Sequence, residues 1–432
     1  MKQASIIYPR DLKARITPYL QRKEIIAIKG PRQAGKTTLM KDLYQELFQK
    51  KKCLYLTFEK RDDLELFDQD LESFKKIYTE DYQIIFIDEF QYAKDGGRKL
   101  KYLFDTTKTK FIISGSSSLE LTSQTGKYLV GRLFSFDLYP FSFSEFLRVK
   151  RKSLLKLIKP VSQKFELLLA GKTNLLSQRE PIKGEGLKKE LNKLLEEYIL
   201  FGGYPEVILS TKKEEKREIL KGILETYLLR DIKSLLDLAT DEELINIAKF
   251  LSLQLGNLVV YQELSNIAKL SFQQVKKHLK ILKETYILEL ISPYCRNKRT
   301  ELSKNPKAYF LDTGFRNMLI DDFSSLNLRS DRGALFEGFV FSQLKRKIET
   351  IGGIKFWRTQ SQAEVDFIVE KGREVLPIEV KHSFKEKPKI GKSFYSFIKK
   401  YQPKQGIMIT ENFWGKKIID NSTIYFLPAF YL

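Results

Sequence analysis

At 432 residues the chain is longer than one hydrophobic core supports, so two or three domains are expected. Hydrophobic residues at 42% and charged residues at 30% suit folded domains and exclude an extended disordered chain. The 76 Lys and Arg against 54 Asp and Glu leave a formal charge of +22, which favours a polyanionic partner, nucleic acid foremost and DNA ahead of RNA.

No apolar run nears the roughly 18 residues of a membrane span. The opening MKQASIIYPRDLKARI lacks the apolar core of a signal peptide. Cys53 and Cys295 stand without metal-ligand spacing. A reducing, cytoplasmic location is therefore expected.

Residues 1–146 alternate short β-rich runs with helical stretches, the pattern of a parallel α/β sheet. The runs are EIIAIKG (24–30), KCLYLTF (52–58), QIIFIDEF (83–90), KFIISG (110–115) and LFSFDLYP (133–140). Runs so continuously apolar predict strands buried on both faces. Between the first run and a helical stretch lies GPRQAGKTT (30–38), which fits G-x-x-x-x-G-K-[ST] in the expected strand–helix context. Gly30 and Gly35 permit a tight loop whose N–H groups face phosphate oxygens at a helix N-terminus. Lys36 is expected to reach the β- and γ-phosphates of ATP. Thr37 is expected to ligate Mg²⁺, and Thr38 completes the nucleotide-binding run. The third strand ends in Asp88-Glu89, an acid for Mg²⁺ followed by one that polarises the attacking water. Ser114 or Ser116, at the end of the fourth strand, is a candidate γ-phosphate sensor.

These motifs resemble P-loop ATPases of the AAA superfamily. GRLFSFDLYPFSFSEFL (131–147), FGGYPEV (201–207) and YLLRDI (227–232) resemble one branch, the predicted bacterial and archaeal ATPases with a C-terminal domain of unknown function. In AAA proteins an arginine from a neighbouring subunit often contacts the γ-phosphate. The resemblance thus implies a role in trans for Arg132, and with it a homo-oligomer, or else an ordinary salt bridge.

Residues 147–235 read as basic, leucine-rich helices of a lid or linker; 147–195 hold 13 Lys and Arg against 4 Asp and Glu. Within 236–315, YQELSNIAKLSFQQVKKHLKILKE (261–284) reads as helix, turn, helix. Leu264, Ile267, Ala268, Val275, Leu279 and Leu282 form the inner face, Ser271 is the N-cap, and His278 is expected on the surface. The outer face carries Gln273, Gln274, Lys276, Lys277 and Lys280, a set able to reach bases or phosphates. With a hairpin over 287–312 as its wing, this part resembles a winged helix, a module that also serves as a lid or protein contact.

Residues 316–432 read as helix, three strands, helix, strand. That order resembles the restriction-endonuclease-like fold, in which a helix Glu joins an Asp and a Glu-x-Lys on adjacent strands. The matching residues are Glu337, Asp366, Glu379 and Lys381, with Val365 where the motif often has proline. Period-two alternation puts Glu379 and Lys381 on one face, and Asp366 lies one strand away. The resemblance implies that Glu337, Asp366 and Glu379 hold Mg²⁺ while Lys381 acts on water or phosphate. A buried ion pair in a non-catalytic module is the other reading. The sequence thus predicts a multidomain α/β protein, an ATPase acting on nucleic acid with a metal-dependent nuclease domain. The alternatives are an ATP-dependent switch with a nuclease-like interaction module, and an RNA- or membrane-surface-associated ATPase without cleavage.

Overall fold

The computed structural model describes residues 7–115, 128–172, 180–226, 242–295, 297, 301, 304–348, 353–372, 374–382 and 388–432. Ser116 and the run 227–232 lie outside the described residues. The chain separates into two compact units: Met1–Phe141 with Lys280–Ile287, and Ser142–Leu279 with Leu288–Leu432.

In the first unit all five expected strands form: β1 (Ile25–Lys29), β2 (Cys53–Thr57), β3 (Ile84–Asp88), β4 (Lys110–Gly115) and β5 (Leu133–Asp137). They make one parallel sheet in the order β2-β3-β4-β1-β5. Alternate residues serve opposite faces. Ile84, Phe86 and Ile112 pack with Leu39, Met40 and Leu43 of the helix Lys36–Phe48. Ile85, Ile87 and Ile113 pack on the other side with Phe67, Leu100 and Leu103 from the helices Arg61–Gln69 and Gly96–Thr106. Each such side chain contributes about 1.5–3 kcal/mol by burial. Burial on both faces holds for the central strands but not for the edges. Leu54 and Tyr55 of β2 are half-buried and Ser135 of β5 is exposed, because the helices cover the middle of the sheet most fully.

The second unit opens with the helix Phe143–Lys150, started by a capping box of Ser142 and Glu145. The helices Lys152–Leu169 and Glu185–Phe201 follow, matching the expected break between two leucine-rich segments. Residues far apart in sequence tie them down. Phe143 N donates to Gln343 Oε1 (3.0 Å) and Ser162 Oγ to the carbonyl of Tyr431 (2.7 Å). FGGYPEV turns the chain against residues more than 100 positions later. Gly202 has φ +76°, and a Cβ on it would lie 2.0 Å from Asp312 Oδ1. The N–H of Gly203 donates to Asp312 Oδ2 (2.7 Å), and Asn317 Nδ2 donates to the carbonyls of Ile199 and Leu200 at the end of the preceding helix.

The helix pair Tyr261–Ala268 and Phe272–Glu284 forms as expected. Ser271 Oγ accepts from Gln274 N (3.4 Å), while Gln274 Oε1 accepts from Ser271 N (2.9 Å). Two assignments are corrected. Ile267 is 41% exposed, since Leu264 and Ala268, four residues apart, take the inner stripe of this short helix. His278 is buried, with Nδ1 2.7 Å from the carbonyl of Gln274. It stands three residues beyond Val275 and four before Leu282, on the apolar stripe. The hairpin follows as β6 (Leu288–Ile291) antiparallel to β7 (Lys307–Phe310).

The tail gives the helix Arg332–Ile348, then β8 (Ile354–Arg358), β9 (Glu364–Lys371), β10 (Glu374–Lys381), the helix Lys392–Tyr401 and β11 (Gln405–Thr410). Two strands beyond the sequence reading, β12 (Gly415–Ile419) and β13 (Ser422–Pro428), complete a mixed sheet in the order β12-β13-β11-β10-β9-β8. Among the described residues, no helix is long and apolar enough to cross a membrane.

Candidate functional site

Two clusters of charged side chains sit at strand ends, one in each unit. In the first unit β1, β3 and β4 run parallel, so the loop after β1, Asp88 and Ser114 share the carboxyl end of the sheet, where open α/β sheets bind ligands. Gly30 has φ +152°, and a Cβ there would stand 2.1 Å from the carbonyl of Leu138. Gly35, at φ +94°, turns the chain into the helix that begins with Lys36. Lys36 Nζ donates to the carbonyls of Gly30 (3.0 Å) and Pro31 (2.9 Å). Burial lowers its pKa to about 8, against the pull of Glu89 and Asp88. Thr37 and Thr38 follow on the first helical turn, half-buried and exposed.

Asp88 is buried and well supplied with donors. Tyr55 Oη donates to Oδ2 (2.9 Å), while the Ser114 hydroxyl and the N–H of Glu89 (3.2 Å) donate to Oδ1. Ser114 is thus engaged with Asp88. Glu89 has φ +55°, a left-handed backbone rare for a non-glycine residue, and its Oε2 accepts from Gln91 Nε2. The structure therefore brings Lys36, Asp88, Glu89 and Ser114 together. Arg132 is elsewhere: its carbonyl accepts from Ile25 N (2.8 Å) at the amino end of β1, and Nε pairs with Asp105 Oδ1 (2.9 Å). The length of β1, roughly 15 Å, separates it from the phosphate loop of its own chain.

The second cluster draws on the helix Arg332–Ile348 and strands β9 and β10. Lys381 Nζ pairs with Glu379 Oε1 (2.7 Å), as the alternation predicts. Asp366 Oδ2 accepts from the N–H of Val380 (2.7 Å), and Glu337 Oε1 accepts from Tyr309 Oη (2.5 Å). Burial, then the neighbouring Asp366, pushes Glu337 up to about 8 and Glu379 up to about 7. Asp366 is raised as well, by burial. Lys381 is raised because Glu379 outweighs the effect of its burial. Glu379 Oε2 is buried without a hydrogen-bond partner. Among the described residues, no three His, Cys, Asp or Glu side chains stand as a metal-holding group; Glu337, Asp366 and Glu379 each point one oxygen at a different protein donor.

Sequence reasoning missed Tyr55 and Tyr309, which reach their acids from 33 and 28 residues away and carry no local signal, and Gln91, which stands two residues after Glu89. It also missed Arg10. The guanidinium donates to the carbonyls of Ala34 in the phosphate loop and Tyr139 beyond β5, each at 2.6 Å, and lies over the ring of Phe141.

Residues 22–147 match the AAA domain family. Residues 192–328 and 332–430 match two domains of unknown function (DUF8612 and DUF4143). An uncharacterized protein of Methanocaldococcus jannaschii is 25% identical over 375 residues, 85% of this chain and 76% of its own length. One from Haemophilus influenzae is 26% identical over 375 residues, 82% of each chain. One from Mycobacterium tuberculosis is 25% identical over 395 residues, 90% of this chain and 77% of its own. Among solved structures, the ORC2 protein of Aeropyrum pernix in its ADP form aligns at TM-score 0.33 with 14% identity, over 74% of this chain and 95% of that one. AMPPCP-bound DnaA from Aquifex aeolicus aligns at 0.26 with 14% identity, over 63% of this chain and 86% of that one.

Proposed function

We propose that this chain binds and hydrolyses ATP and acts on nucleic acid, with its C-terminal carboxylate cluster as a Mg²⁺-dependent cleavage site. The observation that carries the first part is a buried Lys36 folded over a glycine loop at a helix N-terminus, beside the strand-end acids Asp88 and Glu89. The loop N–H groups and Lys36 bind and orient the β- and γ-phosphates. Thr37 and Asp88 supply the oxygen donors that a hard cation takes, and Glu89 holds the attacking water by accepting its proton. Arg132 lies too far to serve its own chain's phosphates, so a finger role belongs to a neighbouring copy in a homo-oligomer.

By donor type the second cluster suits the same kind of ion, although its three carboxylates do not stand as a metal-holding group in the structure. Glu337, Asp366 and Glu379 are oxygen ligands, and the unpartnered Glu379 Oε2 is an acceptor awaiting a positive partner. A divalent cation held there supplies charge stabilisation to a phosphate under attack. Lys381 orients the water or the phosphate. The net charge of +22 and the exposed lysines of the helix Phe272–Glu284 support a nucleic-acid substrate, with that helix pair and hairpin as a winged-helix contact. One observation favours a second reading, an ATP-dependent switch whose C-terminal domain is an interaction module: each carboxylate already has a protein donor.

A plasmid-nicking assay with Mg²⁺ or Mn²⁺, with and without ATP, separates the two. Metal-dependent nicking supports the cleavage site, and ATP turnover without nicking under any of these conditions supports the switch. Reversing the charge of Lys276 and Lys277 is expected to flatten the salt dependence of DNA binding by up to about one per lost phosphate contact. An unchanged slope removes that helix from the interface.

A further inference from the structure

The carboxylate cluster is not built from the tail alone. Strand β7 of the hairpin belongs to the region matched at 192–328, whereas Glu337, Asp366 and Glu379 belong to the one matched at 332–430. Lys307 and Tyr309 are two apart on β7 and so share one face. Lys307, buried, pairs with Glu364 on β9. Tyr309, fully buried, donates its hydroxyl to Glu337 Oε1, and its ring stacks on Phe341 (4.6 Å between centroids) and packs against Phe367 (5.4 Å). A third position approaches the same carboxylate. Gly256, at φ +75°, donates its N–H to the carbonyl of Ala308, and a Cβ on it would stand 3.2 Å from Glu337 Oε1.

We propose that Tyr309 is a positioning residue of the carboxylate site, holding Glu337 toward Asp366, so that the region before residue 328 is part of that site. A long carboxylate side chain on a helix has several rotamers, and a ligand must be held in one. The Tyr309 ring is fixed by two aromatic neighbours, so its hydroxyl is a rigid donor that selects the rotamer of Glu337. Hydrogen-bond partners of this kind tune the affinity of ligating groups. The bare glycine at 256 leaves space for the carboxylate on that side. This inference rests on the reading of the cluster as a cation site.

The test is Mn²⁺ binding to the full chain by calorimetry, in a double-mutant cycle of Tyr309→Phe and Glu337→Gln, with Asp366→Asn as reference. Tyr309→Phe keeps the stacked ring and removes only the donor. It is expected to weaken Mn²⁺ binding about 10- to 100-fold while ATP affinity is unchanged. In the Glu337→Gln background it is expected to add little, because it acts through that carboxylate. Binding within twofold of wild type, or losses that add in full, overturns the positioning role and leaves the cation site standing. Wild-type protein that binds no Mn²⁺ overturns the cation site and the proposal together. If Tyr309→Phe does not fold, Gly256→Asn, which tolerates the left-handed backbone and crowds Glu337, takes its place. It is expected to weaken Mn²⁺ binding, and unchanged binding overturns the proposal.

Discussion

The phosphate loop and the carboxylate cluster are mirror images in charge. In the first, burial makes a lysine easier to deprotonate, and Lys36 falls to about 8. In the second, burial makes a carboxyl harder to deprotonate, and Glu337 rises to about 8. Asp88 beside the loop has three donors, so the uncompensated group there is the cation. Around Glu337, Asp366 and Glu379 the two nearby lysines are each paired, Lys381 with Glu379 and Lys307 with Glu364, and burial still raises all three acids, so the uncompensated groups are anions. What burial leaves unbalanced indicates the sign of the ligand: a polyanion in one site, a cation in the other.

Substitution of the two key charges tests this contrast most strongly. Lys36→Ala is expected to reduce ATP turnover by at least about 100-fold through lost phosphate binding, on the scale of removing a transition-state donor. Glu89→Gln is expected to retain ATP while turnover falls by about 10²–10⁴; normal turnover in both variants breaks the assignment. In the second site, Asp366→Asn is expected to abolish metal-dependent nicking, and Lys381→Ala to suppress it while leaving Mn²⁺ binding measurable. If the cluster is only structural, Lys381→Ala strands the buried Glu379 carboxylate at about 3–5 kcal/mol and lowers the Tm. Asp366→Asn then removes one of three mutually repelling acids and strands no charge, so its Tm does not fall in the same way, and neither variant has cleavage to lose.

The contrast also predicts opposite proton traffic. Phosphates favour the charged form of Lys36, so ATP binding at pH 8 takes up about half a proton at a group titrating near 8. A cation favours ionised Glu337 and Glu379, so Mn²⁺ binding at pH 7 releases protons. Calorimetry in two buffers of different ionisation enthalpy reads both signs, and equal signs refute the comparison. A smaller effect comes from a carboxylate whose counter-charge is internal. Burial would raise Asp331, but Arg329 and Arg316 outweigh it and hold the carboxyl at about 2. Its folded pKa lies below the ordinary 3.8, so its contribution, about 1 kcal/mol after solvent screening of a half-buried pair, is present above pH 4 and is lost as pH falls through 2. Asp331→Asn is expected to flatten the acid limb of a pH–stability curve between those values.

What was legible in the sequence was what lies contiguous in it. Gly30, Gly35, Lys36 and Thr37 are one motif, and their loop follows from it. Strand alternation alone pairs Glu379 with Lys381. The partners that hold these groups were not legible. Tyr309 lies 28 residues from Glu337 and Tyr55 lies 33 from Asp88, and neither spacing follows a helix or strand period. His278 was misassigned because a polar side chain was allowed to outweigh its place on the Val275–Leu282 stripe. Strand β12 was not legible because Lys416, Lys417 and Ile418 are consecutive exposed residues that break the period-two alternation.

The turn at Gly202 and Gly203 has a consequence for how the chain is made. Its partner Asp312 emerges from the ribosome 109 residues later, a delay of about 5–20 s at 5–20 residues per second. The same unit waits longer for Gln343, 200 residues after Phe143, and for Tyr431, 269 residues after Ser162. During synthesis its first helices therefore stand with open ends and bare apolar stripes. Completion waits until residue 431 has been made, so the apolar faces of the early helices stay uncovered over that whole interval.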